Sequence, residues 1–254
     1  MRCHYERAGH GPDVLLVHGW GLYGGIWSDF AAGLADTARV TRVDLPGHGQ
    51  SEPSADYTLD ELADALVDLC PAPAVAVGWS LGALAVLTLA QRHTTHLRGM
   101  ILFGATPRFV TGPDWTCAVA PSLLREFAAD LERDYHGTLS RFLALQLGRG
   151  HAERDLLKRL RALAVDHAAP SVSGLRAGLA LLERTDLRPA LPAIDVPALV
   201  IHGGRDRLAP PAAGAYLAAT LPRARLHTVP DAGHAPFLSH TAECLREARV
   251  VIHG

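Results

Sequence analysis

Residues 74–91 read Ala-Val-Ala-Val-Gly-Trp-Ser-Leu-Gly-Ala-Leu-Ala-Val-Leu-Thr-Leu-Ala-Gln, and this stretch decides the fold. The apolar run 74–77 predicts a buried strand, and residues 81–91 predict a helix. Between them, Gly78-Trp79-Ser80-Leu81-Gly82 has the spacing G-x-S-x-G. Glycines on both sides of Ser80 leave room for a strained turn that lifts the hydroxyl above the sheet, and the Leu81 amide then points toward an oxyanion. The sequence therefore predicts a nucleophilic serine at a strand-to-helix junction.

Other short apolar runs alternate with helical sequence along the chain. The predicted strands are 13–18, 39–44, 99–103, 198–202 and 225–229. One helix is predicted to begin at Thr58, which is spaced to form a capping box with Glu61. Strands that alternate with helices predict a doubly wound, mostly parallel sheet with crossover helices on both faces, which is an α/β fold.

The alternation stops between two of the predicted strands. Residues 107–189 contain helical segments instead, at about 121–135, 138–147, 153–166 and 172–183. A helical cap inserted between two strands describes this best, with the core in two parts, 1–106 and 190–254. The chain ends soon after Glu247, which favours a short last helix.

Composition narrows the functional classes. The chain has 254 residues, of which 24 are Lys or Arg and 26 are Asp or Glu, so the formal net charge is −2. This balanced surface does not favour binding to nucleic acid or an anionic membrane. Four widely spaced cysteines predict neither a disulfide framework nor a zinc site. Without a leader or an apolar run of about 18 residues, we expect a cytoplasmic protein, monomeric and without metal or cofactor.

A nucleophilic serine needs an acid and a histidine, in the order Ser, Asp, His, each after a later strand. Asp206 follows the strand 198–202, and His234 follows the strand 225–229. Other acids fit less well: Asp186 and Asp195 precede the strand, and Asp231 suits a turn. His93 and His96 have no third metal ligand spaced near them.

The turn after the first strand, His18-Gly19-Trp20-Gly21, is the candidate for a second oxyanion donor. Its small residues let the backbone approach a substrate, so we predict that the Trp20 amide acts with the Leu81 amide. The glycines are equally compatible with a turn that is merely tight.

These motifs, together with residues 44–51 (Asp-Leu-Pro-Gly-His-Gly-Gln-Ser), Gly204-Arg205-Asp206 and Gly233-His234, resemble the α/β-hydrolase superfamily in order across nearly the whole chain. Three stretches, 18–22, 142–146 and 234–240, resemble more narrowly the pimeloyl-[acyl-carrier protein] methyl ester esterases of biotin synthesis. The resemblance implies a serine carboxylesterase with an acyl carrier protein as partner. It implies a substrate site lined by Trp20, Ser80, Leu81, Phe142, Leu143, Ala144, Leu145, Gln146 and His234.

Two groups of these residues could have a purely structural role instead. Phe142, Leu143 and Leu145 have the helical spacing of cap-core residues. Arg141, Arg154 and Lys158 are candidates for docking an acidic carrier, and the last two share a helix face with Arg161. A solvated helix face with ion pairs to Glu153 or Asp155 would look the same in the sequence.

Two functional alternatives also remain at this point: another enzyme of the same fold, or a protein of this fold without catalysis. A general short-chain carboxylesterase, a carbon–carbon bond hydrolase or a lyase of menaquinone synthesis would keep the triad and differ in the cap. A hydrolase-fold receptor or binding protein would not need an intact Ser80, Asp206 and His234.

Overall fold

A computed structural model describes residues 1–145, except 55, 70, 72 and 132, together with 158, 160 and 170–254. Among these residues, seven strands form one sheet in the order β1-β3-β2-β4-β5-β6-β7, and only the β1–β3 pair is antiparallel. The strands are β1 Tyr5–Ala8, β2 Asp13–Val17, β3 Arg39–Val43, β4 Ala74–Trp79, β5 Leu97–Phe103, β6 Ala198–Gly203 and β7 Ala224–Val229.

Nine α-helices connect or cover these strands in the described part of the chain. They are α1 Ser28–Ala32, α2 Leu59–Val67, α3 Leu81–Arg92, α4 Pro121–Asp130, α5 Tyr135–Leu145, α6 Val172–Arg184, α7 Pro211–Thr220, α8 Pro236–Ser239 and α9 Thr241–His253. The connection from β2 to β3 contains α1 and runs toward the β1 edge of the sheet, whereas the connection from β4 to β5 contains α3 and runs toward the β7 edge. Because both crossovers are right-handed, the two helices lie on opposite faces. The predicted doubly wound sheet is confirmed.

The central strands are apolar because both of their faces are covered. Every residue of β2, β4 and β6 is buried, as is typical of parallel strands between two helical layers. Helix α2 begins at the predicted capping box: the Glu61 amide donates to Thr58 Oγ1 at 3.1 Å, and the Thr58 amide donates to Glu61 Oε2 at 2.8 Å.

At the chain ends, one strand was not predicted and one prediction, the short last helix, was wrong. Residues 5–8 form the edge strand β1, although all four residues are exposed and so carry no alternating apolar signal. The last helix is thirteen residues long, not short. Its buried residues, Cys244, Leu245, Ala248 and Ile252, continue the helical spacing to the end of the chain.

Helices α4, α5 and α6 lie between β5 and β6, as the predicted cap requires, whereas the predicted helix 153–166 lies almost wholly outside the described residues. At the base of this segment, the Leu187 amide donates to the Pro107 carbonyl at 3.0 Å. The cap boundaries 107–189 stay a prediction, which this contact supports. No helix among the described residues is long and apolar enough to span a bilayer.

Helix α6 docks closely on the loop that follows β3. The Ser171 amide donates to the Gly47 carbonyl at 2.8 Å, and Ser171 Oγ caps α6 by accepting from the Gly174 amide. A methyl group at Gly47 would lie only 2.6 Å from the Gly174 Cα. Two glycines thus let the cap approach the core to backbone contact.

Candidate active site

Ser80 occupies a strained turn between β4 and α3. Its backbone angles are φ 57° and ψ −117°, and it is the only described residue other than glycine with a positive φ. A methyl group at Gly78 would lie 2.4 Å from the Gly82 carbonyl oxygen, and one at Gly82 would lie 2.3 Å from the Val17 carbonyl oxygen. The flanking glycines of the motif are therefore required by close backbone contact on either side of the serine.

The loops after β6 and β7 are held together by backbone hydrogen bonds. The Gly204 amide donates to the Val229 carbonyl at 2.8 Å, and the Arg205 amide donates to the Ala232 carbonyl at 2.9 Å. Gly203 allows this approach, because a methyl group there would lie 1.9 Å from the Gly233 oxygen. The result is that the segment carrying Asp206 and the segment carrying His234 run side by side.

Asp206 and His234 form a buried hydrogen-bonded pair. His234 Nδ1 lies 2.7 Å from Asp206 Oδ2, while Asp206 Oδ1 accepts from the amides of Leu208 at 2.9 Å and Ala209 at 3.0 Å. Because a carboxylate only accepts, the proton of the neutral imidazole lies on Nδ1. Burial raises the pKa of Asp206, but the positive charge that His234 carries when it is protonated and hydrogen bonds from His202 and His234 outweigh it and hold that pKa below its usual range.

The other ring nitrogen of His234 is left available. Nε2 is buried and has no hydrogen-bond partner in the described part of the chain. The His234 carbonyl accepts from the indole N–H of Trp79, the residue before Ser80, at 2.9 Å. Gly104 also packs on the ring, since a methyl group there would lie 2.9 Å from Nδ1. The imidazole is thus positioned beside the serine turn, with an unprotonated nitrogen that can act as a base.

Both candidate oxyanion donors lie next to Ser80. Leu81 is the first residue of α3, so its amide N–H has no partner within the helix. Gly19, which precedes Trp20, packs against the serine turn: a methyl group at Gly19 would lie 3.2 Å from Ser80 Cβ. The two amides belong to chain segments in direct contact, and their joint role as oxyanion donors stays a prediction.

The Trp20 side chain joins this turn to the cap. Its indole Nε1 donates to the Leu175 carbonyl of α6 at 2.7 Å, and its ring meets the Phe142 ring of α5 edge-on with centroids 4.5 Å apart. A methyl group at Gly178 would lie 2.6 Å from Trp20 Cδ1 and 3.3 Å from Leu81 Cδ2. Trp20, Leu81 and Phe142, three residues predicted to line the substrate site, therefore belong to one apolar cluster.

The remaining predicted cap residues differ in environment. Leu143 is buried and Ala144 is exposed. Phe142 also packs on Phe127 of α4, with ring centroids 5.5 Å apart, so it is part of the cap core as well as a neighbour of Trp20. The Leu145 side chain and Gln146 lie outside the part that the structure describes.

Of the candidate docking cations, Arg141 and Lys158 fall among the described residues and Arg154 does not. Arg141 donates to Asp130 Oδ2 at 2.7 Å and to Thr138 Oγ1 at 3.1 Å. The charge of Arg141 is therefore partly balanced by an acid of α4. Lys158 is exposed.

Three buried histidines have no predicted catalytic role. His202 Nε2 donates to the Ala209 carbonyl at 2.7 Å and lies 3.4 Å from Asp206 Oδ2. His18 and His48 lie beside the turn Gly19-Trp20-Gly21, which we call the oxyanion turn, with ring centroids 5.4 Å apart. The sequence places His18 directly after β2, His48 in the loop after β3 and His202 within β6. The burial and the hydrogen-bond partners of these histidines depend on how the loops fold over them, which the sequence does not reveal.

His18 and His48 are held neutral. Burial lowers the pKa of His18 to about 4, although a hydrogen bond to the Gly19 carbonyl opposes it. Burial, together with the proximity of His18, lowers the pKa of His48 to about 3, against hydrogen bonding to Pro46 and the charge of Asp44. Neither ring contributes positive charge to the site near neutral pH.

The comparisons with known proteins agree with this architecture. The family model for the alpha/beta hydrolase fold matches residues 12–241. A pimeloyl-[acyl-carrier protein] methyl ester esterase of Stenotrophomonas maltophilia is 45% identical over 94% of this chain and 92% of its own length. The same-named protein of Xanthomonas oryzae pv. oryzae is 46% identical over 93% of each chain. A solved esterase from Exiguobacterium antarcticum superposes with a TM-score of 0.89 at 22% identity, covering 99% of this chain and 96% of its own.

We predict that stability falls in acid because of the neutral histidines. In the unfolded chain both have the ordinary pKa of 6.5, so below that pH the unfolded state binds more protons than the folded state. The free energy of unfolding in urea should therefore drop between pH 6.5 and 4.5, by about 1.4 kcal/mol per pH unit for each such histidine. The carboxylate of Asp206 acts only at lower pH, because its stabilisation is lost below the unfolded pKa of 3.8.

The variant His48→Gln provides the control, because it removes one of the two titrations. Its unfolding free energy should decrease less steeply over the same pH range. Equal slopes for the wild type and His48→Gln would contradict a buried, neutral His48.

Proposed function

Because the chain belongs to the α/β-hydrolase family, and within it to the pimeloyl-[acyl-carrier protein] methyl ester esterases, we propose that it hydrolyses the methyl ester of pimeloyl-[acyl-carrier protein] in biotin biosynthesis. The products are pimeloyl-[acyl-carrier protein] and methanol. The protein is a carboxylic ester hydrolase. The observation that carries this reaction class is the Asp206–His234 pair, with its free Nε2, beside the strained Ser80 turn. The choice of substrate depends on about 45% identity over nearly the whole chain.

The proposed reaction is acyl transfer in two steps. His234 Nε2 accepts the proton of Ser80 as Oγ attacks the ester carbonyl, and Asp206 stabilises the imidazolium that forms. The amides of Trp20 and Leu81 donate to the oxyanion of the tetrahedral intermediate. The carbon–oxygen bond to methanol then breaks, and methanol leaves with the proton from His234. Water, deprotonated by His234, attacks the acyl-serine and releases the free carboxylate together with the restored Ser80.

The Trp20–Phe142 contact supports an acyl site beneath the cap. The edge-on rings, with Leu81 beside them, form a buried apolar cluster between α5, α6 and the serine turn. An apolar surface suits the methylene chain of a pimeloyl group, because burying each methylene contributes about 0.8 kcal/mol. We propose that Trp20, Leu81 and Phe142 contact the acyl chain, with Leu143, Ala144, Leu145 and Gln146 in the adjoining part of the cap.

The carrier protein is the proposed partner. Its acidic surface would be attracted by cations near the entrance of the site, and Arg141, Arg154 and Lys158 are the candidates. Arg141 lies in α5 directly before Phe142, which connects the proposed docking surface to the acyl site. A cytoplasmic location and a monomeric state stay predictions from the sequence.

We predict that Ser80→Ala abolishes both ester hydrolysis and the rescue of a biotin-requiring strain that lacks its own pimeloyl-carrier methyl esterase. Loss of the nucleophile should lower kcat by about 10⁴-fold or more, and His234→Ala should match it. Ser28→Ala, an exposed serine of α1, and His93→Ala, which loses a surface contact with Asp64, are matched controls that should retain activity. Near-normal turnover in Ser80→Ala would refute the triad. Failure of a folded, hydrolytically active wild type to rescue growth would favour a general carboxylesterase.

Phe142→Ala should change the chain-length preference of the enzyme. Removing the ring opens space beside Trp20, so the ratio of kcat/KM for long over short p-nitrophenyl esters should shift by about threefold to tenfold. Phe127→Ala is the matched control, since Phe127 contacts Phe142 within the cap. A profile that is unchanged in folded Phe142→Ala, or changed equally in both variants, would make Phe142 a cap-core residue only.

Reversing charge in the cap should act on the carrier substrate alone. In Arg141→Glu and Lys158→Glu, we expect KM for the carrier-linked methyl ester to rise and its salt dependence to weaken, because exposed cations act through a screened field. Hydrolysis of a p-nitrophenyl ester should be nearly unchanged.

Arg223→Glu is the matched control for the charge reversals. Arg223 is exposed and directly precedes β7, so it lies at the amino ends of the parallel strands, opposite the serine turn. Equal effects of a cap substitution on both substrates, or none on either, would remove these cations from the docking surface.

A further inference from the structure

Two buried histidine rings hold the peptide planes on either side of Trp20. His18 Nδ1–H donates to the Gly19 carbonyl at 2.7 Å, and the Gly21 amide N–H donates to His48 Nε2 at 3.2 Å. The Gly19 carbonyl and the Trp20 N–H belong to one planar trans peptide and point in opposite directions. Anchoring the Gly19 carbonyl therefore sets the direction of the Trp20 N–H. Anchoring the Gly21 N–H fixes the orientation of the peptide that follows Trp20, so that the backbone of Trp20 is held from both sides.

His48 is itself held in one orientation and one tautomer. Its Nδ1 lies 3.0 Å from the Pro46 carbonyl, which can only accept, so the ring proton lies on Nδ1. Nε2 then carries the lone pair that accepts the Gly21 N–H. The ring is fully buried, so this arrangement is not exchanged with solvent.

The His18 ring holds the peptide on the other side of Trp20 in the same way. His18 Nε2 accepts the Leu45 amide at 2.9 Å, which leaves Nδ1 protonated and able to donate to Gly19. Both rings thus tie the turn after β2 to the loop after β3. The loop is in turn held by the cap through the Ser171–Gly47 hydrogen bond.

The turn needs these hydrogen bonds to the two rings because glycine flanks Trp20 on both sides. Gly21 has a φ of +78°, a conformation that glycine reaches at little cost, and Gly19 also lacks a side chain that would restrict it. An oxyanion donor must already point at its target before charge develops, since its contribution comes from preorganisation. We propose that His48 is a positioning residue of the oxyanion hole, which accepts the Gly21 N–H and so holds the Trp20 amide in its donating direction.

This inference rests on the proposed function, in which the Trp20 amide donates to the oxyanion. His48 acts through Trp20 and does not itself contact the reacting atoms. Its effect should therefore appear in the transition state and not in substrate binding.

The test compares His48→Asn with His48→Gln. Both side chains are neutral amides, but an amide oxygen of Gln can reach the place of Nε2, whereas the shorter Asn ends at the place of Nδ1. We expect kcat for a p-nitrophenyl ester to fall about tenfold or more in His48→Asn, a smaller loss than deleting an oxyanion donor causes, with KM changed by less than about threefold. His48→Gln should stay within about threefold of the wild type.

A second readout is the affinity for a trifluoromethyl ketone, whose adduct with Ser80 carries an oxyanion. Its inhibition constant should rise in His48→Asn by the same factor as kcat/KM falls. The inhibition constant of an analogue with a methylene group in place of the ketone carbonyl, which cannot form the adduct, should stay unchanged. Leu62→Ala, in the buried face of α2, controls for lost stability alone and should leave kcat unaltered.

The outcomes separate this inference from the proposed function. Equal kcat in His48→Asn and His48→Gln, or an unchanged inhibition constant in His48→Asn, would overturn the positioning role. If Ser80→Ala abolishes activity while His48→Asn retains it, the inference alone fails. If the wild type shows no hydrolysis that depends on Ser80, the proposed function fails first.

Discussion

The backbone of Ser80 is held at φ 57° and ψ −117°, and the arrangement of the site depends on that constraint. A residue with a side chain in such a conformation costs on the order of 1–3 kcal/mol, which surrounding packing must offset. Here β4 is buried along its whole length, and ten of the twelve residues of α3 are buried. The strand and the helix are thus anchored independently, and the serine between them has no freedom to relax.

The same constraint explains why glycines surround the serine. Gly78 and Gly82 contact backbone atoms that a side chain would displace, and Gly19 brings the oxyanion turn against Ser80 Cβ. The absence of a side chain at each glycine lets a neighbouring chain segment approach the serine turn closely. Close backbone packing therefore determines where the hydroxyl and the amide donors meet, before any side chain other than Ser80 is considered.

Four histidines in the described chain are fully buried, and their bonds give them different tasks. His18 and His48 use both ring nitrogens on backbone groups, so a proton added to either ring would face an N–H donor. His202 donates to a carbonyl close to Asp206. His234 combines a short contact to a carboxylate, 2.7 Å from Nδ1 to Asp206 Oδ2, with a second nitrogen that lacks a partner in the described chain and lies beside the serine turn. The carboxylate can stabilise a positive His234, whereas burial opposes charge on His18 and His48.

Much of the fold could be predicted because its signals are local. Apolar runs mark β2, β4 and β6, and the Thr58 capping box marks the start of α2. The positions of Asp206 and His234 follow from chain order after two strands. The edge strand β1 could not be predicted because its residues are exposed and show no apolar alternation. Helix α9 is longer than predicted because its buried residues keep the helical spacing as far as Ile252. The His48–Gly21 contact joins residues 27 apart and depends on two loops folding together, so no spacing in the sequence reveals it.

The central claim is that Ser80 is a nucleophile activated by His234. Its most direct test is the mass of the intact protein, followed by peptide mapping, after reaction with a fluorophosphonate, which phosphonylates activated serines. The account predicts one adduct per chain, located on Ser80 and absent from His234→Ala. An unmodified wild-type protein, or an adduct on a different serine, would contradict it.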